Sequence, residues 1–238
     1  MKTVAIIQAR MRSTRLPGKV LMKICGREVL GHILDRLAAC DIDETVVATS
    51  DHPENDAVEA FVKDNGYAVF RGDEQDVLGR FYQCAALHKA DVIIRVTADN
   101  PLCDPEIINS CIHGFDNDKT DYLRTAPGLP LGLGVEIVSY KALEACHLCA
   151  DQPRDREHVT TYIYSTAPDR FQIYEFQHGL DLSQYRWTID TERDFELVED
   201  IYKALYPENL FGYREILRAY DANPQWLGIN DDIAQKPY

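Results

Sequence analysis

The chain has 238 residues, of which 45% are hydrophobic and 27% are charged, and its formal net charge is −14. This composition excludes disordered, collagen-like and disulfide-scaffold proteins. No apolar run approaches the ~20 residues that cross a bilayer, and the start of the chain becomes polar too early for a signal peptide, so we expect a cytoplasmic protein without a membrane partner.

The first half of the chain alternates short apolar runs with helical patterns. A buried strand is predicted over residues 3–7 and an amphipathic helix over 29–37. The following predicted elements are a strand over 44–49, a helix over 53–64, a strand over 67–70, a helix over 75–88 and a strand over 91–97. Strands that alternate with helices predict an α/β fold, in which a mostly parallel sheet carries helices on both faces.

The second half is less regular. Helices are predicted over residues 105–114, 141–149, 156–164 and 191–206, and strands over 121–124, 135–138 and 185–189. The polar segment 220–238 is expected to pack loosely. We expect one domain over 1–238, with a core over about 1–205 and a C-terminal extension over 206–238.

Basic residues are concentrated at the start of this acidic chain. Residues 1–27 contain seven Lys or Arg and no Asp or Glu, whereas the rest contains 18 basic and 39 acidic residues. Such a charge distribution argues against general nucleic-acid binding. A compact basic loop in an acidic body indicates a site for a small polyanion, although a solvated basic surface is the alternative.

This basic loop, QARMRSTRLPGK over residues 8–19, directly follows the first predicted strand. Ligands of open α/β sheets bind beyond the carboxyl ends of strands, where Arg10, Arg15 and Lys19 would meet phosphate oxygens. The hydroxyl of Ser13 would add a donor. Neither the Walker A nor the G-x-G-x-x-G motif is present, so the loop predicts phosphate binding by another geometry.

Two carboxylates end two other predicted strands. Asp99 follows residues 93–98, and Asp190 follows residues 187–189. Two carboxylates, phosphate oxygens and waters form a typical Mg²⁺ site. Each also has a simpler interpretation, because Asp99-Asn100-Pro101 is a turn sequence and Asp190 could cap the next helix. Together with the basic loop, the pair predicts a magnesium site.

Seven cysteines are too few and too scattered for a disulfide framework in a chain of this length. Cys146 and Cys149 form a single C-x-x-C within a predicted helix, with no second pair to complete a zinc site. We therefore interpret these cysteines as structural thiols.

Several collinear motifs resemble one family. The stretch IIQARMRSTRLPGKVL resembles the N-terminal signature of sugar-activating cytidylyltransferases, which include 3-deoxy-manno-octulosonate and acylneuraminate cytidylyltransferases. The resemblance is closest to their spore-coat polysaccharide biosynthesis homologues. Further matches are GDEQDVLGRFYQCA, RVTADNPLCDPEII, GVEIVSYKAL, DREHVTTYIY and RWTIDTERDFELV, so the resemblance covers about residues 1–205.

The resemblance implies a three-layer nucleotide-diphospho-sugar-transferase-like fold and transfer of CMP from CTP to a sugar, in surface polysaccharide synthesis by a homodimer. It implies catalytic roles for Arg10 and Lys19 and metal ligation by Asp99 and Asp190. The nucleotide-binding residues that it implies are Ala9, Arg10, Ser13, Arg15, Lys19 and Arg71, and the sugar-binding ones are Glu136, Arg156, Glu157 and His158. Arg71 could equally be a surface arginine, and His158 a histidine on a helix face.

One departure affects the choice of sugar. Sugar-acid cytidylyltransferases commonly carry Gln-Gly-Asp at the metal-binding aspartate, whereas this chain has Thr97-Ala98-Asp99. The carboxylate is kept and the neighbouring amide is not, so an acidic sugar is expected but its identity is open. Two other functions stay open: a glycosyltransferase that consumes a nucleotide-sugar, and a non-catalytic nucleotide-binding subunit of a polysaccharide pathway.

Overall fold

The computed structural model describes residues 1–206 and 210–234. Its strands are β1 Thr3–Gln8, β2 Lys23–Ile24, β3 Arg27–Glu28, β4 Glu44–Ser50, β5 Ala68–Gly72, β6 Val92–Thr97, β7 Tyr122–Thr125, β8 Glu136–Ser139 and β9 Ile173–Phe176. Its α-helices are α1 Val29–Leu37, α2 Asp56–Asp64, α3 Val77–Leu87, α4 Pro105–Gly114, α5 Tyr140–Cys149, α6 Pro153–His158, α7 Glu192–Leu205 and α8 Tyr213–Ala222. None of the helices in these residues is long and apolar enough to cross a membrane.

Seven strands form one sheet in the order β5-β4-β1-β6-β8-β7-β9, and β2 and β3 form a separate hairpin. The first four strands of this order are parallel, β8 runs antiparallel to both of its neighbours, and β9 is parallel to β7. The predicted α/β fold with a mostly parallel sheet is confirmed. After β1, the chain adds β4 and β5 on one side of β1, and the next strand of the sheet, β6, pairs with β1 on its other side. Strand order therefore reverses between β1 and β6.

The two faces of β1 belong to two different apolar layers. Ala5 and Ile7 pack in the layer that contains the buried residues of α1 and α7, whereas Val4 and Ile6 pack with those of α3 and α5. All four side chains are fully buried. Burial on both faces explains why this strand is a continuous apolar run rather than an alternating one, and it fixes where the carboxyl end of β1 emerges.

The predicted strand over residues 185–189 is wrong. This segment makes a single parallel bridge, between Leu131 and Arg186, and does not join the sheet. Backbone hydrogen bonds still anchor it, since the Trp187 amide donates to the Leu131 carbonyl at 2.7 Å and the Ile189 amide donates to the Asp99 carbonyl at 2.8 Å. The last strand of the sheet is instead β9, which the sequence pattern did not reveal.

Two further expectations need correction. The helix predicted over 156–164 is interrupted at Val159, which has a φ of +61°, and a π-helical turn follows over Tyr162–Thr166. The C-terminal segment is not loosely packed, because Tyr220, Trp226 and Asn230 are all buried. Of the predicted extension 206–238, residues 207–209 and 235–238 lie outside the described residues.

Candidate active site

A cavity of about 600 Å³ opens at the carboxyl ends of β1 and β6, where strand order reverses. Its walls include Gln8, Arg10, Arg15, Asp99 and Asp190. The loop over 125–135 and the residues Glu136, Glu157 and His158 also line it. The basic loop and both predicted metal ligands therefore meet in one cavity, at the edge of the sheet where the topology places a ligand.

Lys19 lies at the centre of this arrangement. Its Nζ is 3.0 Å from Asp99 Oδ2, 3.0 Å from Asp190 Oδ1 and 2.6 Å from the Ile189 carbonyl oxygen. The lysine begins a 3-10 turn over Lys19–Leu21 that follows Gly18 in a left-handed conformation, with a φ of +73°. A residue that adopts positive φ without strain lets the basic loop turn back over the sheet edge.

Asp99 and Asp190 are held by different means. Asp99 Oδ1 accepts a hydrogen bond of 2.6 Å from the Thr97 hydroxyl at the end of β6. Asp190 Oδ2 pairs with Arg15 at 2.9 Å and with Arg186 at 3.1 Å. Burial alone would raise the pKa of Asp190, but the charge and hydrogen bond of Lys19, together with the charges of Arg15 and Arg186, outweigh it and lower the pKa below its usual value. Asp190 is therefore ionised at neutral pH.

Helix capping does not account for Asp190. The N-cap of α7 is Thr191, whose hydroxyl accepts from the amide of Asp194, and the Asp194 carboxylate accepts from the Thr191 amide in return. Asp194 also accepts from Arg186 Nε at 2.7 Å and from the Asp190 amide at 3.1 Å. The capping box thus fixes the backbone before α7 and leaves the Asp190 carboxylate directed at Lys19.

The donor set suits a magnesium ion. Both carboxylates lie 3.0 Å from the same cation, the Lys19 ammonium. The two negative charges can therefore balance the charge of a cation placed between them. Within the described chain, no group of three or more His, Cys, Asp and Glu side chains could hold a metal. Magnesium is typically bound by one or two carboxylates together with phosphates and water, so this pair fits it.

The remaining residues of the basic loop are placed less uniformly. Arg10 lines the cavity, and no carboxylate of residues 1–206 and 210–234 lies within ion-pair distance of it. Ala9 is buried and its amide donates to Ala48. The Ser13 hydroxyl accepts from the Leu16 amide at 3.3 Å and so shapes the loop.

Two predicted site residues are not brought to the cavity. Arg71 lies on β5, where its guanidinium pairs with Asp56 and Glu59 of α2, each at 2.6 Å. Arg156 pairs with Asp76 at the start of α3 and donates to the backbone of α5. Each side chain is oriented by carboxylates from a different part of the chain. The sequence around each arginine does not show these partners.

The part of the cavity lining that contains Glu136 is a hydrogen-bonded cluster. Glu136 pairs with Arg95 and accepts from the hydroxyls of Tyr122 and Thr160, the latter at 2.7 Å. Burial opposes its ionisation, but the charge of Arg95 and these hydrogen bonds keep the pKa of Glu136 below its usual value. Burial lowers the pKa of His158, so this ring is neutral near pH 7.

Sequence reasoning missed the residues that support the two metal-ligand candidates. Thr97 and Arg186 hold the carboxylates in place, and the only available signal was their position inside motifs already noted for other residues. Gly132 was also missed. A Cβ on this glycine would lie 2.8 Å from the backbone of Trp187, so the close approach of the two segments requires glycine here.

Comparison with known proteins shows the family of the chain. A family model described as cytidylyltransferase matches residues 4–221. Over 226 residues, the chain is 36% identical to the spore coat polysaccharide biosynthesis protein SpsF of Bacillus subtilis, covering 92% of this chain and 94% of that protein. Its fold matches a cytidylyltransferase from Leptospira borgpetersenii with a TM-score of 0.91 and 30% identity, covering 100% and 99% of the two chains.

A more distant structure shares the fold. It is a CMP:2-keto-3-deoxy-manno-octonic acid synthetase complexed with CTP, with a TM-score of 0.63 and 21% identity, covering 86% of this chain and 99% of that one. The family and the nucleotide-sugar-transferase-like fold predicted from the sequence are both confirmed. This chain therefore belongs to the cytidylyltransferase family and is a nucleotidyltransferase.

Proposed function

We propose that this enzyme transfers CMP from CTP to a hydroxyl of an acidic sugar, releasing pyrophosphate, in the synthesis of a surface polysaccharide. One observation carries the proposal: Lys19, Asp99 and Asp190 meet within 3.0 Å in a cavity that Arg10 and Arg15 also line. The pathway and the sugar class are supported by the names of the Bacillus subtilis relative and of the synthetase that shares the fold.

The basic loop would bind the triphosphate. Arg10 has no carboxylate partner in the described chain, so its five donors are available to phosphate oxygens. Arg15 and Lys19 add two more positive charges at the same edge. Ala9 and Ser13 would shape the loop around the nucleotide. Phosphoryl chemistry needs mainly alignment and charge stabilisation, which fixed cations supply.

Asp99 and Asp190 would hold Mg²⁺. A bound magnesium ion supplies charge neutralisation on the phosphate oxygens. The protein's own contribution is to aim both carboxylates at one point, through Thr97 for Asp99 and through Arg15 and Arg186 for Asp190.

The wall with Glu136, Glu157 and His158 would receive the sugar. His158 lines this wall as a neutral ring. Glu136 would act by holding Arg95 in the cavity wall. Arg71 and Arg156, also predicted to contact substrates, would do so only after leaving their ion pairs with α2 and α3. A homodimer in the cytoplasm completes the proposal, and sedimentation would test its oligomeric state.

The experiment incubates the purified protein with each of four nucleoside triphosphates and a panel of acidic and neutral sugars, and measures pyrophosphate. CTP with an acidic sugar should give the strongest release. Lys19→Ala should reduce it by orders of magnitude, and a change below about threefold, worth ~0.7 kcal/mol, would remove Lys19 from the site. Sugar transfer from a nucleotide-sugar without pyrophosphate release would instead identify a glycosyltransferase, and CTP binding without turnover a non-catalytic subunit.

A further inference from the structure

All three N–H donors of the Lys19 ammonium group are hydrogen-bonded. The three acceptors around it are Asp99 Oδ2, Asp190 Oδ1 and the Ile189 carbonyl. The residue is 8% exposed, so solvent does not compete for these bonds. In this position Lys19 cannot also donate to a phosphate without giving up one of these acceptors.

The same position is the one that a divalent cation would need. Both carboxylates already touch Lys19, and Asp190 additionally touches Arg15 and Arg186. Two carboxylates facing these cations leave no net negative charge to attract a metal ion, and a metal added beside Lys19 would meet a like charge. A nucleotide triphosphate changes this balance, because it brings several negative charges and new acceptors for the lysine.

We infer that Lys19 substitutes for the divalent cation until the nucleotide arrives, and then moves to the phosphates and leaves Asp99 and Asp190 to the metal. Metal binding at this pair therefore depends on nucleotide binding, and each favours the other. The movement requires only side-chain rotation on a flexible four-carbon stem. The inference rests on the proposed function, since it takes Asp99 and Asp190 as the metal ligands.

The test measures Mn²⁺ binding without any nucleotide, from the electron paramagnetic resonance signal of the free ion. Lys19→Gln keeps hydrogen-bonding capacity and removes the charge, and Lys19→Met removes both. Each variant should bind one Mn²⁺ at least tenfold more tightly than the wild type, and adding Asp99→Asn should abolish that binding. Lys23→Met is the matched control, because Lys23 is an exposed lysine that pairs with Glu28 at 3.3 Å, and it should behave like the wild type.

Equal Mn²⁺ affinity in the wild type and in a folded Lys19→Gln protein would overturn the inference. The inference would also be overturned if the nucleotide-free wild type bound Mn²⁺ tightly and Asp99→Asn removed this binding. That result does not require the Lys19 variants to fold. Circular dichroism establishes which variants are folded. Failure of the proposed function is a separate result: it would be absent pyrophosphate release, while Mn²⁺ binding to Lys19→Gln remained sensitive to Asp99→Asn.

Discussion

Asp190 and Asp194 are separated by about one helical turn, and both pair with Arg186, but they have different surroundings. Asp190 lines the cavity and touches Lys19, whereas Asp194 is fully buried and has no contact with the cavity. Replacing each by asparagine removes one charge and almost no volume. The two substitutions should therefore separate a group that acts on substrate from one that supports the fold.

The expected stability losses follow from the contacts. Asp194→Asn leaves the Arg186 guanidinium with one carboxylate instead of two, and breaking a buried pair costs about 3–5 kcal/mol. For a chain of this size that lowers Tm by roughly 10 °C. Asp190→Asn weakens contacts to Lys19, Arg15 and Arg186, but this side chain lines the cavity, where water can solvate the cations. Its cost should therefore be lower, about 1.5–3 kcal/mol, the range for a hydrogen bond to a charged group.

The assay compares pyrophosphate release at a temperature at which both variants are folded. Asp190→Asn should lose turnover on the order of 100-fold or more, the effect of removing one electrostatic group from an active site. Asp194→Asn should lose less, on the order of tenfold, because it leaves the cavity carboxylates in place chemically and disturbs only their support. The reasoning is refuted if Asp190→Asn is fully active at saturating Mg²⁺, or if Asp194→Asn melts no lower than Asp190→Asn.

Three other substitutions test neighbouring parts of the structure. Asp99→Asn should abolish metal-dependent turnover and leave the fold intact, since it removes a ligand charge and little volume; activity retained at saturating Mg²⁺ would contradict the metal assignment. Gly132→Ala should destabilise the protein by at least about 2 kcal/mol in urea unfolding, because φ is +110° at this position and the new Cβ would lie 2.8 Å from the Trp187 backbone. Gly134→Ala is the control: the nearest atom to its new Cβ would be 3.7 Å away, so it should cost under about 1 kcal/mol. Burial lowers the pKa of His32 below 6.5, so on acidification this histidine is protonated in the unfolded chain before it is protonated in the folded protein. The free energy of unfolding should therefore fall as pH drops below about 6.5. His32→Gln should make this pH dependence shallower, and an unchanged pH dependence would exclude His32 as its cause.

Much of the fold followed from patterns that are decided locally. The continuous apolar run of β1 and the amphipathic period of α1 are set by burial within each element, and the structure has both within one residue of the prediction. The location of Lys19 and Asp99 followed from one general property, that the carboxyl ends of parallel strands meet at one edge. The paired carboxylates were therefore expected on the correct side of the sheet.

The rest depended on contacts between distant parts of the chain. The family resemblance predicts substrate contacts for Arg71 and Arg156, but the direction of each side chain is set by carboxylates on α2 and at the start of α3. β9 is a short edge strand whose partner, β7, is far away in sequence. Val159 breaks a regular helical pattern with a positive φ that no residue type nearby signals.

Asp190 lies at the predicted edge of the sheet, but the segment that carries it is held differently from the prediction. Its segment is not a strand of the sheet. It is held by the backbones of Leu131 and Asp99 on one side and by the Asp194 carboxylate on the other.

Asn230, close to the end of the described chain, donates to the Arg186 carbonyl at 3.0 Å and to Asp194 at 2.9 Å. The C-terminal segment, expected to be loosely packed, thus holds Arg186 and Asp194 in place, and through them Asp190. Because a carboxylate must be placed to a fraction of an ångström to share a cation with Asp99, residues beyond α8 are part of the support on which the active-site geometry depends.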